Sequence, residues 1–362
     1  MITGCGSNHD IVIKPLEAEF IADKEIDYRS GEYVLKISTG LNWIIEKPYS
    51  DDWYTISTIA GQGNQTVTIK IFQNNTEIPR SGEIIITAGR DYRIIKFTQD
   101  EYIDESLYYP IEEAYRIEMP RLSKNFTKEK STFIIHYAKD NVGDSVLNYS
   151  FEYNYSTNHT RWVAFTFYDK TSQPNTKRSN AWSVDPKLLE FTDNFEDYRG
   201  SGYDRGHLVA SADRLYSVEA NEQTFYYSNI SPQIPNFNSG IWAFLEEKVR
   251  NWGRSNAIRD TLYVTKGGTI AEKQTIGTIG NNKIIIPKYY FMALLAKKGT
   301  VYKSIAFLFE HKKYDHPYDL QKHVVSVEEL EKVTGIDFFH NLPDEIERQV
   351  EQQKNMYDWP DL

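Results

Sequence analysis

The apolar pattern changes character partway along the chain, and that change limits the folds open to it. From about residue 10 to 100, short runs alternate apolar and polar side chains, at 11–13, 33–37, 43–46, 66–72, 83–87 and 92–97. Turn residues separate them: Gly61-Gln62-Gly63-Asn64, Asn74-Asn75, and Gly89 near Asp91. Short strands punctuated in this way predict an all-β, immunoglobulin-like sandwich over residues 10–102. From Thr132 onward, strand-like runs at 133–137, 148–153, 162–168, 262–265, 283–286 and 303–309 mix with helical ones, which predicts an α+β unit over 131–362. Residues 103–130, acidic and then irregular around Pro110 and Pro120, read as a linker and the lead-in to that unit. A chain of 362 residues is too long for one ordinary core and fits two domains.

One helix is legible after Pro235-Asn236-Phe237-Asn238. Ile241, Leu245, Val249 and Trp252 fall on one face at helical spacing, the asparagines are placed to cap the start, and Gly253 suits the end. A second begins at Ser326, with Glu329 completing a capping box, and stops at Gly335. A third, near 344–353, is strongly charged and expected to be solvated.

The net charge of −10 argues against a protein that passively coats nucleic acid. Residues 1–105 carry 10 basic and 17 acidic side chains, so the acidity is concentrated there and the remainder is nearly balanced. A local basic groove is therefore compatible with the second unit. No window holds the ~18 consecutive apolar residues of a spanning helix. The single cysteine, Cys5, excludes an internal disulfide. Its setting, Thr3-Gly4-Cys5-Gly6-Ser7, resembles the end of a bacterial lipoprotein signal, without the apolar stretch that should precede it. The expectation is that residues 1–9 form a tether lipidated at Cys5 and that the protein lies in the cell envelope or is secreted. An ordinary free thiol is the alternative.

The densest chemistry lies in Gly202-Tyr203-Asp204-Arg205-Gly206-His207-Leu208. Phosphodiester cleavage needs a base to activate water, positive charge on the phosphate and stabilisation of the leaving oxygen. His207 and Arg205 supply the first two, and histidine titrates near neutrality. Further on come Tyr227-Ser228-Asn229-Ile230-Ser231-Pro232-Gln233, then Asn238 and Glu246. Taken singly, Asn238 is a helix cap, Glu246 a solvated charge, and Asp204 with Arg205 a surface ion pair. Their joint order and spacing point to chemistry instead. The remaining histidines read as structural, and no His, Cys and carboxylate spacing resembles a zinc site.

These paired stretches resemble the DNA/RNA non-specific endonucleases, with the Asp-Arg-Gly-His signature of the ββα-metal fold. Arg161-Trp162-Val163-Ala164-Phe165, Tyr263-Val264-Thr265-Lys266-Gly267-Gly268 and Thr334-Gly335-Ile336-Asp337 extend the likeness over roughly 130–350. The resemblance implies His207 as general base, Asn238 as the protein ligand of a catalytic Mg²⁺ (or Mn²⁺), and Glu246 as the acid that holds the metal's waters. It also implies Asp204 and Arg205 as signature residues and Asn229 as a residue that contacts substrate or supports the site. Arg178, in Thr176-Lys177-Arg178-Ser179-Asn180-Ala181-Trp182, matches the arginine that steadies the pentavalent phosphate, at a spacing a residue or so from the pattern. On a regular helix Glu246 would lie about two turns beyond Asn238 and ~80° round. DNA or RNA, cut to 5′-phosphate products, is the implied substrate. The first unit, through Asn42-Trp43-Ile44, Trp53-Tyr54-Thr55-Ile56-Ser57 and Phe97-Thr98-Gln99-Asp100, resembles a BACON domain. That likeness implies contact with glycan or a cell surface, or service as a spacer. The competing expectation is a catalytically inert surface protein that binds glycan through this unit.

Overall fold

The computed structural model describes residues 14–22, 26–49, 51–76, 78–102, 112–123, 131–188, 195–316 and 318–362. The expected strand at 11–13, Cys5 and the tether of residues 1–9 lie outside the described residues. The chain separates into two compact units, Met1–Pro110 and Ile111–Leu362. Among the described residues no helix is long and apolar enough to cross a membrane.

The first unit is a sandwich of two four-stranded sheets. Its strands are β1 (Glu17–Ile21), β2 (Gly31–Ser38), β3 (Asn42–Glu46), β4 (Tyr54–Ile56), β5 (Ala60–Gln62), β6 (Gln65–Ile71), β7 (Arg80–Ala88) and β8 (Asp91–Gln99). They order as β1-β2-β6-β4 and β5-β3-β7-β8. Alternation puts Leu35 and Ile37, Val67 and Ile69, and Ile84 and Ile86 into one core around the buried Trp43. The turn expected at Gly61-Gln62-Gly63-Asn64 is shorter than that, because Gly61 and Gln62 extend β5 and only Gly63 and Asn64 reverse the chain.

The second unit is built on a seven-stranded antiparallel sheet. In chain order its strands are β9 (Ser131–Lys139), β10 (Ser145–Asn154), β11 (His159–Phe167), β14 (Thr261–Gly268), β17 (Tyr289–Lys298), β18 (Val301–Glu310) and β19 (Val324–Val325). Their spatial order is β19-β18-β17-β14-β11-β10-β9. Side-chain alternation turns Phe165, Val264 and Met292 to one face, where they pack with Leu245, Val249 and Trp252 of the helix Ala243–Arg254. Against that face lies a separate two-stranded ribbon of β12 (Asp204–His207) and β13 (Ile230–Gln233), followed by the helical stretch that begins at Pro235, and β15 (Thr275–Ile279) and β16 (Ile284–Pro287) form a second ribbon. Ribbon then helix is the ββα arrangement. The lead-in segment is part of this unit: Glu118 and Met119 are buried, and the Arg121 amide donates to the Asp337 carbonyl.

Three local expectations about the helix are corrected. The asparagines do not cap it. Asn238 already has helical dihedrals, and its side chain is committed elsewhere. Asn238–Trp242 forms a wide π-type turn in which Gly240 leaves the helical region (φ −103°, ψ −116°), so the ~80° offset expected of a regular helix does not apply. Gly253 does not end the helix either. It lies within the last turn because a Cβ there would meet Phe167 at 2.5 Å. The helix Val327–Thr334 has the expected capping box, and Gly335 closes it in the left-handed conformation. The charged helix Asp344–Glu351 is not fully solvated, since Val350 and Glu351 are buried.

Candidate active site

Strands β12 and β13 pair with Asp204 opposite Gln233 and His207 opposite Ile230. Gly206 makes the pairing close: a Cβ there would lie 2.2 Å from the Gln233 Oε1. Arg205 and His207, two residues apart, share one face of β12. Both meet the ring of Trp182. The Arg205 guanidinium sits 3.9 Å from its centroid, and the His207 ring is 5.4 Å away. Phe225 contacts His207 edge-on at 5.0 Å and carries the Arg178 guanidinium at 4.7 Å on its own ring. Arg178 is held further by its Nε donating to the Asn180 Oδ1 at 2.8 Å, with Asn180 in a left-handed conformation (φ 58°). The two arginines thus lie on two aromatic rings that both touch the histidine.

His207 is half-buried, and its Nε2 has no hydrogen-bond partner among the described residues. Burial, then the charges of Arg178, Lys266 and Arg205, push its pKa down to about 3, so the imidazole is neutral and free to accept a proton. Asn238 donates from its Nδ2 to the Asp204 carboxylate at 3.0 Å, which leaves the lone pairs of its amide oxygen to face a cation. Asp204, Arg205 and Asn238 line one open cleft of about 280 Å³ together with Trp182, Tyr198 and Tyr203.

Glu246 is ion-paired through Oε1 to the ammonium of Lys266, a side chain only 1% exposed. Burial pushes the Glu246 carboxyl up, and the Lys266 ammonium pulls it back. Asn229 is fully buried with its amide spent inside the protein: its Oδ1 accepts from the Val209 N–H, and its Nδ2 donates to the carbonyls of Val209 and Thr224. It braces the chain just after His207 and has no polar atom left for substrate, so the substrate-contact half of its expected role is corrected.

Sequence reasoning passed over Lys266, Phe225 and the platform role of Trp182. Lys266 had a legible signal, a lone charge in the apolar strand run before Gly267-Gly268. The rings had none, because aromatic residues in such a chain are mostly core.

His159 and His311 buttress the site from behind. The His159 Nδ1–H donates to the Thr160 carbonyl, and its Nε2 accepts from the Ser231 hydroxyl at 2.6 Å. The His311 Nδ1–H donates to the Pro287 carbonyl, and its Nε2 accepts the Ile234 N–H at 2.7 Å. Burial pushes both down to about 4. Unfolded, they titrate near 6.5, so between about 6.5 and 4 the unfolded chain binds more protons than the native one. Their contribution is complete above pH 6.5 and is lost as pH falls through that window, on the order of 3 kcal/mol each. Urea midpoints of the second unit should fall from pH 7 to pH 4. His311→Gln, which retains a donor and an acceptor, should fall less. An equal decline in both proteins would contradict this.

The family described as DNA/RNA non-specific endonuclease matches residues 129–345, and a second, described as a putative N-terminal binding domain (BACON), matches residues 42–100. Endonuclease G, mitochondrial, of Homo sapiens is 31% identical over 155 residues, covering 40% of this chain and 51% of that protein. Nuclease 1, mitochondrial, of Schizosaccharomyces pombe is 33% identical over 181 residues, covering 46% and 56%. The chain thus spans about half the length of these curated relatives. A crystal structure of the EndoG/EndoGI complex shares the fold, with a TM-score of 0.50 and 21% identity over 58% of this chain and 86% of that one.

Proposed function

Because the chain belongs to the DNA/RNA non-specific endonuclease family, we propose that it cuts phosphodiester bonds within DNA and RNA, using His207 as general base and a divalent cation at Asn238. The observation that carries the reading is the neutral His207 ring, its Nε2 without a hydrogen-bond partner among the described residues, set between the two rings that carry Arg205 and Arg178, on the strand whose Asp204 holds Asn238. The donor atoms fit Mg²⁺ or Mn²⁺: the Asn238 amide oxygen left free by Asp204, and the Glu246 carboxylate, are hard oxygen donors. A hydrated cation held there would act as a Lewis acid at the phosphate and the leaving 3′ oxygen.

His207 takes a proton from water as the water oxygen bonds to phosphorus and the bond to the 3′ oxygen breaks; the leaving 3′ oxygen takes a proton from solvent, so a 5′-phosphate and a 3′-hydroxyl remain and His207 returns its proton to solvent afterwards. Arg205 and Arg178 balance the charge that builds on the phosphoryl oxygens. The phosphodiester is itself an anion. Lodged between the arginines, it offsets the charges that push His207 down, so the base strengthens when substrate is present. Contacts to phosphate and cation read backbone rather than base edges, which accounts for cleavage without sequence preference. The first unit serves as a spacer or a surface contact.

Circular single-stranded DNA and RNA, which offer no ends, are the test substrates. Mg²⁺-dependent fragmentation, with products that lose a terminal phosphate from the 5′ end on phosphatase treatment, is expected. Intact circles, or phosphate at the 3′ end, would overturn the reading. A chain starting at residue 112 should cut at the rate of the full chain, since Arg178 is the first of the residues named in the chemistry. Loss of cleavage in a folded protein of that length would show that the first unit takes part.

A further inference from the structure

Lys266 is a buried cation to which the proposed chemistry assigns no task. It follows Val264 by two residues on β14, so its side chain leaves the sheet on the same face as Val264, the face covered by the helix that carries Glu246. Its Nζ lies 5.2 Å from the ring centroid of Trp242 and is paired with Glu246 Oε1. A buried ion pair is poor value as a stabilising device, because apolar side chains of similar volume often do as well or better. The pair does impose geometry. One carboxylate oxygen of Glu246 is held by the ammonium, and Oε2 is left as the other acceptor of a side chain that would otherwise sample several rotamers.

We propose that Lys266 is a positioning residue of the nuclease site, fixing the Glu246 carboxylate so that Oε2 alone faces the waters of a cation held at Asn238. The inference rests on the function proposed above. With Glu246 ordered by folding, the cation has less ordering to do on binding. Outer partners of this kind are worth about 10–100-fold in metal affinity, and Lys266, acting through Glu246, should fall near about 10-fold.

The test is Mn²⁺ binding by the full chain, followed by calorimetry without nucleic acid. Lys266→Met should weaken Mn²⁺ binding about 10-fold. In a Glu246→Gln background the same change should add nothing, because the group it positions is gone. A purely architectural role would lower affinity equally in both backgrounds and would overturn the proposal, as would unchanged or tighter binding by folded Lys266→Met. Removing one partner of a buried pair is strongly destabilising. If Lys266→Met does not fold, Glu246→Gln is compared with the double variant. Equal affinities support the proposal, and further weakening in the double variant overturns it. If the unsubstituted chain binds no Mn²⁺, the metal-nuclease reading fails itself. If it binds and cuts while Lys266→Met matches it, only the role of Lys266 fails.

Discussion

Replacing His207 by alanine should lower turnover by about 10²–10⁴-fold, the usual worth of general-base assistance, with little change in affinity for an uncleavable nucleic acid. A base acts as the transition state forms, so its loss falls on the chemical step and not on binding. The structure adds reasons particular to this site. His207 is fixed between Trp182 and Phe225 by ring contacts and by the pairing of β12 with β13, so its position is set by the fold. The other described histidines on this side of the fold, His159 and His311, have both ring nitrogens occupied by partners. The substitution leaves Arg205 and Arg178 on Trp182 and Phe225, so the phosphate contacts proposed for them should be retained. A variant that bound poorly but turned over normally when saturated would place His207 in binding and remove it from the proton path.

Asn238→Ala should raise the Mg²⁺ concentration needed for half-maximal cleavage by at least about 10-fold, the lower bound seen for losing even an outer partner of a metal. Cleavage at saturating Mg²⁺ should recover in large part, because His207 and the arginines are untouched. Asn238→Asp should not serve as a replacement. It puts a second carboxylate where Asn238 Nδ2 now donates to Asp204 at 3.0 Å, exchanging a hydrogen bond for a like-charge contact. Titration of Mg²⁺ against initial rate separates the outcomes. An Asn238→Ala enzyme with an unchanged Mg²⁺ requirement would move the cation away from this residue.

The sandwich was legible because its strands alternate and its turns are marked, and the capped helix Val327–Thr334 because caps are local chemistry. Strand β17 was not legible as a strand. Tyr290 through Ala296 are apolar without a break because both faces of the central sheet are covered, and such a run lacks the period that separates strand from helix. The site residues were legible as types in order, but their partners were not. Asn238 taken alone read as a cap, and only the family resemblance made it a metal ligand; that its amide nitrogen is turned to Asp204 was legible from neither. Asn229 read as contacting substrate or supporting the site, and which of the two it does depends on its bonds to Val209 and Thr224, which leave it the second. The charge of Lys266 was legible in its strand but its pairing was not, because Glu246 lies twenty positions away on a helix that only the fold lays against the sheet. Each of these depends on contacts between elements distant along the chain.

The most direct test of a Mg²⁺-dependent nuclease with His207 as its base is digestion of supercoiled plasmid and of structured RNA by the full chain, with Mg²⁺ and with EDTA, beside His207→Ala. Both substrates should be degraded with Mg²⁺, neither with EDTA, and the variant should be slower by about 10²-fold or more. Cleavage that persists in EDTA, or a His207→Ala protein that cuts at the unsubstituted rate while still requiring Mg²⁺, would contradict that reading.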